Sequence, residues 1–229
     1  MIDPWPDIAA RLDPLLGTLP SPVDYLRGRT GGRPGSPDNI LLFLRRMFGE
    51  ASHATHHHRH VLILALAGEG GVCVDRHVHL LRPGMAVLIH PHQLHHYVDV
   101  RGPLLWLFVT FEQDALAWRG LFNRMSALRS DHEALLTRLV ELFSDPRPEA
   151  GERLALVAGL LLAELAERAL PPPDDSAPAP VDARLDLLGR INRIVYDRLD
   201  RPPGIAALAA QLGISASHLR WLVRRSLGI

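Results

Sequence analysis

The segment HATHHHRH, residues 53–60, places five histidines within eight positions. Imidazole is the side chain most often used to bind metals in proteins, and it titrates near pH 6.5. Eleven of the 13 histidines lie between His53 and His96. This pattern allows either a metal centre or a polar, pH-sensitive surface that binds a small molecule. The elements that position the histidines decide between the two.

Short apolar runs recur about every ten residues between 40 and 112, and glycines and prolines separate them, as is typical of antiparallel sheets. The runs are ILLFLRRMF, HVLILALAG, GVCVD, HVHLL, MAVLIH, HHYVDV and LLWLFVTFE. The rhythm predicts an antiparallel barrel or sandwich.

After Gln113 the apolar spacing becomes helical, first between 128 and 143 and again between 154 and 165. The spacing predicts two amphipathic helices. The second, ERLALVAGLLLAELAERAL, has a wide apolar face. That face could pack on its own barrel or form a dimer interface, because an apolar stripe does not specify its partner.

Composition limits the classes of protein that the chain can represent. With 229 residues and 47% hydrophobic content, the default expectation is two domains. The segment PPPDDSAPAP, residues 171–180, predicts an extended linker between them. The single cysteine, Cys73, lies in a valine-rich stretch, which predicts a core position and a reducing, cytoplasmic environment. No secretory signal, membrane span or membrane role is predicted.

The last 25 residues, IAALAAQLGISASHLRWLVRRSLGI, carry the clearest pattern. A small residue at Ala209 permits close approach of two helices, and Gly213 permits a tight turn between them. Ser215 is a typical N-cap for the second helix. The segment predicts two short helices that cross at a steep angle and enclose apolar side chains, namely Leu208, Leu212, Ile214, Leu219 and Leu222.

The second helix would expose six polar or aromatic side chains: Ser217, His218, Arg220, Trp221, Arg224 and Arg225. It contains three arginines and no acid, which favours a DNA phosphate backbone as partner. The charge balance extends upstream, since residues 183–229 hold eight arginines against three aspartates. A helical hairpin without DNA affinity is the alternative, and Trp221 could be half-buried or could contact DNA.

The run INRIVYDRLDRPPGIAALAAQLGISASHLRWLVRRSLGI resembles the first half of the DNA-binding region of AraC/XylS-family transcriptional regulators. By that resemblance, Ser217, Arg220 and Trp221 face the bases, and Arg224 and Arg225 face the backbone. The family carries two helix-turn-helix units, whereas this sequence contains the first alone. The resemblance therefore implies a truncated member with weaker DNA affinity.

Upstream, HHRHVLILALAGEGGVCVD, HLLRPGMAVLIHPHQLHHYV and LWLFVTFE resemble the cupin-like barrel that binds effectors in many members of that family. The four positions that hold the metal in cupin enzymes correspond to Thr55, His57, Val61 and His95, so only two potential ligands remain. A catalytic metal generally needs about three protein ligands. Replacements could come from His56, His58 and His60, which share a face if the segment is a strand.

The resemblance thus favours a site without metal or cofactor that binds a small polar effector, such as a sugar or an acid. The residues expected to line it are His57, His95, Tyr97 and Trp106.

Together these observations predict an α+β protein with a cupin-like sensor barrel (1–115), a helical dimerisation segment (116–170), a proline-rich linker (171–182) and a partial all-α helix-turn-helix domain (183–229). The expected function is an effector-responsive, homodimeric transcriptional regulator that binds double-stranded DNA and is not an enzyme. The alternative is a cupin metalloenzyme, a dioxygenase or isomerase, that uses the histidine-rich region 53–96.

Overall fold

The structure is a computed structural model that describes residues 4–47, 55–75, 77–114, 117–171, 190–191, 194–195, 198 and 201–227. The predicted linker lies outside the described residues except at its first position, and so do His53 and most of 183–200. The predicted domain boundaries therefore stay predictions.

Six strands and five helices form the described part of the chain. The strands are β1 (Asp38–Arg45), β2 (His60–Val74), β3 (His77–Leu81), β4 (Met85–Ile89), β5 (His95–Glu112) and β6 (Met125–Ala127). The helices are α1 (Trp5–Leu16), α2 (His132–Ser144), α3 (Glu149–Glu167), α4 (Ile205–Gln211) and α5 (Ala216–Leu227), and a short 3-10 turn spans Arg119–Leu121. The predicted α+β class, a β domain accompanied by helices, is therefore confirmed.

The strands form one antiparallel sheet in the order β1–β5–β2–β4–β6, with β3 paired to the far half of β2. The predicted closed barrel is wrong: among the described strands none joins β1 to β6, and the sheet is open. Irregular segments cover the two edges instead. Arg29 bridges to Ile40 on β1, and Ala169 bridges to Ser126 on β6.

Two long strands replace four predicted short ones. The runs HVLILALAG and GVCVD are both in β2, and HHYVDV and LLWLFVTFE are both in β5. The β2–β5 ladder changes register between Ala65 and Gly71. Such irregularities bend a strand without ending it, and the glycine-rich segment that predicted a turn is such a bend.

Side chains of β2 alternate between two apolar clusters, because successive residues of a strand point to opposite faces. Leu62, Leu64 and Leu66 belong to a cluster that also contains the buried residues of α1, α2 and α3. Val61 and Ile63 belong to a second cluster, composed of sheet residues alone. That inner cluster contains Leu41, Phe43, Val61, Ile63, Ala65, Val72, Val74, Leu81, Val87, Ile89, Leu104, Trp106 and Phe108. The sheet is therefore buried on both faces.

Helices α2 and α3 confirm the two predicted helices, although Leu128 precedes α2 instead of belonging to it. A buried histidine joins them. The backbone N–H of Arg129 donates to His132 Nδ1 (2.7 Å), and His132 Nε2 lies 3.2 Å from Glu164 Oε2.

The sequence did not predict α1, which packs Trp5 beneath the turn between β3 and β4. Gly84 lies in that turn with φ +82°, and a Cβ there would overlap the indole ring of Trp5. The turn therefore needs glycine for two reasons, its backbone conformation and the contact with α1.

Helices α4 and α5 enclose a small apolar cluster of Leu208, Ala209, Leu212 and Leu219, against which Ile191, Ile194 and Val195 also pack. Gly213 between them has φ +71°. The backbone N–H of His218 donates to Ser215 Oγ (3.1 Å), which confirms the predicted N-cap.

Two smaller expectations also have an outcome. Cys73 is buried, as predicted, and burial raises the pKa of its thiol to about 11. Over the described residues, no helix combines the length and apolar character needed to cross a membrane.

We expect Gly84→Ala to lower the free energy of unfolding more than Gly102→Ala does. Gly102 also has positive φ (+69°), but a Cβ there would meet nothing within 4 Å. Both substitutions incur a left-handed backbone cost of roughly 1–2 kcal/mol, and Gly84→Ala adds the overlap with Trp5. Urea denaturation measures the difference, and equal losses would contradict the packing of α1 on this turn.

Candidate functional site

The four residues predicted to line an effector site form a continuous series of ring contacts. The ring centroids of His57 and His95 are 5.1 Å apart, those of His95 and Tyr97 are 6.4 Å apart, and those of Tyr97 and Trp106 are 6.5 Å apart. The structure thus brings His57, which precedes β2, together with three residues of β5. The series leads from the histidines into the inner apolar cluster, to which Trp106 belongs.

Two hydrogen bonds fix the protonation of His95. Its Nδ1 lies 3.2 Å from the backbone oxygen of Gln93, and its Nε2 lies 3.3 Å from Thr55 Oγ1. A carbonyl oxygen can only accept, so Nδ1 carries the proton and Nε2 accepts from the threonine hydroxyl. Burial lowers the pKa of His95 to about 4, so the ring is neutral at pH 7.

These residues do not fit the metal centre of a cupin enzyme. Val61 is apolar and buried at the glutamate position, and the hydroxyl of Thr55 occupies His95 Nε2. Within the described ranges no group of three or more histidine, cysteine or acidic side chains could hold a metal ion.

The predicted replacement ligands are also separated. His56 and His58 are exposed and precede the strand, whereas His60 begins β2 and is fully buried, with its ring stacked 4.9 Å from that of Phe111. The expectation that the three share a strand face is wrong, because the strand starts only at His60.

Sequence reasoning missed Arg59, a buried arginine at the same end of the sheet, which is 2% exposed. Its Nη1 donates to the backbone oxygen of Tyr25 (3.3 Å), and its Nη2 donates to the backbone oxygens of Asn39 and Thr110. Burial lowers the pKa of Arg59, although a guanidinium remains charged in proteins. The sequence did contain one signal that Arg59 is buried: Arg59 lies two residues before Val61, whose side chain faces inward.

Thr110 is the second residue that sequence reasoning missed. It lies opposite Val61 in the β2–β5 ladder and opposite Leu41 in the β1–β5 ladder. Its Oγ1 is buried and has no hydrogen-bond partner among the residues that the structure describes. A hydroxyl inside an otherwise apolar strand is a weak signal in sequence alone.

Aromatic rings surround this end of the inner cluster. Phe43 and Phe108 stack with centroids 5.0 Å apart, Tyr25 meets Phe43 edge-on at 5.2 Å, and Tyr97 lies 6.3 Å from Phe108. Burial raises the pKa of the Tyr97 phenol, so this hydroxyl stays protonated at neutral pH. The candidate site combines neutral imidazoles, an aromatic surface and two arginines, the buried Arg59 and Arg45, whose guanidinium lies 5.7 Å from the ring centroids of Tyr25 and Phe43. Such a surface can bind a small polar molecule that has an apolar part.

A second buried polar group lies beneath the turn at 119–121. Gln93 Nε2 donates to Asp75 Oδ2 (2.9 Å) and to Asn123 Oδ1 (2.8 Å), and Gln93 Oε1 accepts from the backbone N–H of His90 (2.8 Å). His90 also places its ring 5.3 Å from His60. These bonds hold the loop between β4 and β5, on which His95 depends for its position.

The exposed face of α5 contains the predicted DNA-facing side chains. Ser217, His218, Arg220, Trp221 and Arg224 are all exposed, whereas Leu219 on the opposite side is buried. The side chain of Arg225 lies outside the described residues. Trp221 is 50% exposed, and its ring stacks on that of His218 with centroids 5.7 Å apart.

Comparison with protein families gives a match over residues 43–166 to the AraC-like ligand binding domain. The match spans more than half of the chain and contains β2 to β6 with α2 and most of α3. The chain belongs to this family. Curated proteins gave no match.

Several solved structures are similar to this chain, including the following three. Apo ToxT from Vibrio cholerae strain SCE256, a lysine-to-alanine variant, is 11% identical with a TM-score of 0.45, over 89% of this chain and 78% of that one. The AraC-like transcriptional activator CuxR is 14% identical with a TM-score of 0.45, over 82% and 75%. ToxT with a bound unsaturated fatty acid is 10% identical with a TM-score of 0.39, over 87% and 76%. At these identities the likeness does not transfer a ligand.

Buried histidines make the stability of the protein depend on pH. Desolvation lowers the pKa of His60 to about 3 and those of His79, His90 and His95 to about 4. The unfolded chain, with histidine pKa values near 6.5, binds more protons below that pH. We therefore expect the free energy of unfolding to fall as pH drops from about 6.5 to about 4, by up to about 1.4 kcal/mol per pH unit for each such histidine.

Urea denaturation at several pH values measures this slope. His60→Leu should reduce this slope by up to the contribution of one proton. His56→Gln, at an exposed histidine, serves as the control for loss of an imidazole. A slope that is unchanged in His60→Leu would contradict the buried, neutral state of His60.

Proposed function

We propose that the chain is an AraC-type transcriptional regulator that binds a small-molecule effector in its sheet domain and double-stranded DNA through α5. The family match supports an effector-binding role for residues 43–166. The observation that carries DNA binding is the exposed, acid-free face of α5.

The proposed DNA surface consists of Ser217, His218, Arg220, Trp221, Arg224 and Arg225. Ser217, Arg220, Trp221 and Arg224 lie at i, i+3, i+4 and i+7, which places these four on one side of a helix, and His218 stacks on Trp221 beside them. The Ser215 N-cap and Gly213 in the turn support the proposal that α4 and α5 act as a helix-turn-helix unit. In this account Arg220 donates to guanine O6 and N7, the commonest specific contact, and Arg224 neutralises phosphate.

The proposed effector site consists of His57, His95, Tyr97 and Trp106, the residues that the ring contacts connect. The effector would act through differential binding to two arrangements of the protein, which is the only way a ligand can shift a conformational equilibrium.

The proposed dimer interface is the exposed stripe of α3. Helix α3 buries Leu154, Leu161, Leu162 and Leu165 within its own domain but exposes Leu156 (56%) and Leu160 (49%). These leucines belong to a stripe with alternating steps of three and four residues: Arg153, Leu156, Leu160, Ala163 and Glu167. That spacing is typical of a coiled-coil seam.

The stripe ends in charges of opposite sign, which favours a second copy of the chain as the occupant. An antiparallel copy would place Arg153 beside Glu167 of the partner subunit and centre the contact on Leu160. The sequence left open whether the apolar face of α3 packs on its own domain or on a partner, and we propose that it does both.

Removal of single arginines tests the DNA surface. Full-length protein selects preferred duplexes from a random pool, and fluorescence anisotropy then measures affinity as a function of salt. We expect Arg220→Ala to lose about 1–3 kcal/mol of preference between selected and random duplexes. We expect Arg224→Ala to weaken binding to every duplex and to reduce the log–log salt slope by about one.

Arg101→Ala, at an exposed arginine of β5, is the matched control and should bind like the parent protein. Parent-like affinity and salt slope in both Arg220→Ala and Arg224→Ala would rule out α5 as the DNA surface.

Charge placed in the α3 stripe tests the dimer. Leu160→Glu would bury a carboxylate in the proposed seam, which is strongly unfavourable, so sedimentation equilibrium should show monomer where the parent protein is dimeric. Leu80→Glu, at another exposed leucine (43%) on β3, should leave the dimer intact. Dissociation by Leu80→Glu alone would place the interface on β3 instead.

A further inference from the structure

Arg59 is a buried cation without a carboxylate partner. Its three hydrogen-bond acceptors are backbone oxygens, those of Tyr25, Asn39 and Thr110. Among the described residues it forms no ion pair; Glu112 and Asp24 act on it only through longer-range attraction. The carboxylate of Glu112 instead accepts from Asn39 Nδ2 (2.7 Å). Burial of a charge is costly unless the charge is paired.

The backbone contacts of Arg59 leave one of its donors unexplained. Nη1 and Nη2 bind the three carbonyls, which is a sufficient structural role for those two atoms. The Nε–H, in contrast, is buried and has no partner in the part of the chain that the structure describes. Buried polar groups are nearly always hydrogen-bonded, so an orphaned charged donor indicates a missing acceptor.

Thr110 provides a second orphaned group beside the first. Its backbone oxygen is 3.4 Å from Arg59 Nη2, and its own Oγ1 is buried with no partner in the described ranges. Strand packing does not require the hydroxyl of Thr110, since valine has the same shape without a hydroxyl. An Nε–H and a hydroxyl that both lack partners at one end of the inner cluster are two donors for one acceptor group.

The surroundings define the rest of that ligand. Phe108 lies two residues from Thr110 on the same strand, stacks on Phe43, and through it contacts Tyr25. An apolar or aromatic body would contact these rings, whereas a sugar would leave its hydroxyls facing them. The imidazoles of His57 and His95 are both shifted towards the neutral form by burial, so arginines supply the fixed positive charge near these rings. Arg45 lies over the rings of Tyr25 and Phe43, 5.7 Å from each centroid, whereas Arg59 is the buried arginine whose Nε–H lacks an acceptor among the described residues.

We infer that the effector is a carboxylic acid with an apolar or aromatic body, and that Arg59 Nε and the Thr110 hydroxyl donate to its carboxylate. This inference rests on the proposed effector site and specifies its ligand class. It extends that site from the histidines to the Arg59–Thr110 end of the sheet.

Isothermal titration calorimetry on the full chain at pH 7.5 tests the inference with two matched ligand pairs, octanoate with octanamide and benzoate with benzamide. Within a pair the amide NH2 replaces one carboxylate oxygen, which removes the negative charge and one acceptor atom while the rest of the molecule is unchanged. We expect at least one acid to bind about tenfold or more tightly than its amide, the loss typical of one hydrogen bond to a charged group.

Variants identify the residues responsible. Arg59→Gln should abolish the preference for the acid, and Arg101→Gln, the matched control, should keep it. Because Arg59→Gln could also unfold the protein, Thr110→Val is the second variant. It removes only the orphaned hydroxyl, so circular dichroism and thermal stability should match the parent, while affinity for the acid falls severalfold.

Equal binding of acid and amide, no binding of either acid, or unchanged affinity in folded Arg59→Gln and Thr110→Val would each overturn the inference. If a neutral ligand binds in a way that depends on His95 and alters DNA affinity, the proposed regulator function stands. The inference that the effector is a carboxylic acid is then refuted. If the binding of an acid depends on Arg59 but leaves DNA affinity unchanged, the inferred ligand class is confirmed. That result counts against the proposed regulator function.

Discussion

The structure depends on the burial of both faces of two long strands, β2 and β5. A strand that is apolar on alternate sides needs a cover on each side, because either face left in water would lose the hydrophobic stabilisation of about 25 cal/mol per Å². Helices α1, α2 and α3 cover one face. The bend of β2 and β5 brings sheet residues together over the other. An open sheet is sufficient for this, and closure of a barrel is not required.

The same constraint places the candidate effector site. Polar groups that cannot be buried within the apolar clusters collect at one end of the inner cluster, where residues 55–59 lead into β2 and where β5 begins. His57 contacts the ring of His95 at the start of β5, and Arg59 donates to the backbone oxygen of Thr110 near the end of β5. The loop at 90–94, held by Gln93, Asp75 and Asn123, fixes the start of β5 and therefore the ring of His95.

Sequence reasoning predicted the positions of β1 to β5 and two of the domain's helices from the period of their apolar residues, but it missed β6, which lies in the segment expected to be helical. It divided β2 and β5 because the segments GEGG and RGP resemble turns, and a sequence does not show that a register shift can carry a strand through them. It missed α1 because Pro4, Pro6 and Pro14 are helix breakers in general, although proline is tolerated in a first turn. It expected closure because the family resemblance implied a barrel.

At the candidate sites, short-range patterns were reliable and long-range partners were not. The Ser215 cap and the exposed face of α5 follow from local spacing, and the structure agrees with both. The pairing of His57 with His95 followed from the motif positions. Arg59 was missed because its importance lies in the absence of a carboxylate, which depends on every residue that folds around it.

The central claim is that this chain reads DNA sequence. The most direct measurement is a gel shift of the full-length protein on duplexes from the promoter regions beside its own gene, with unlabelled random DNA as competitor. The account predicts a saturable complex on one of these duplexes that survives excess competitor. Equal binding to every duplex, or a complex that random DNA removes completely, would contradict it.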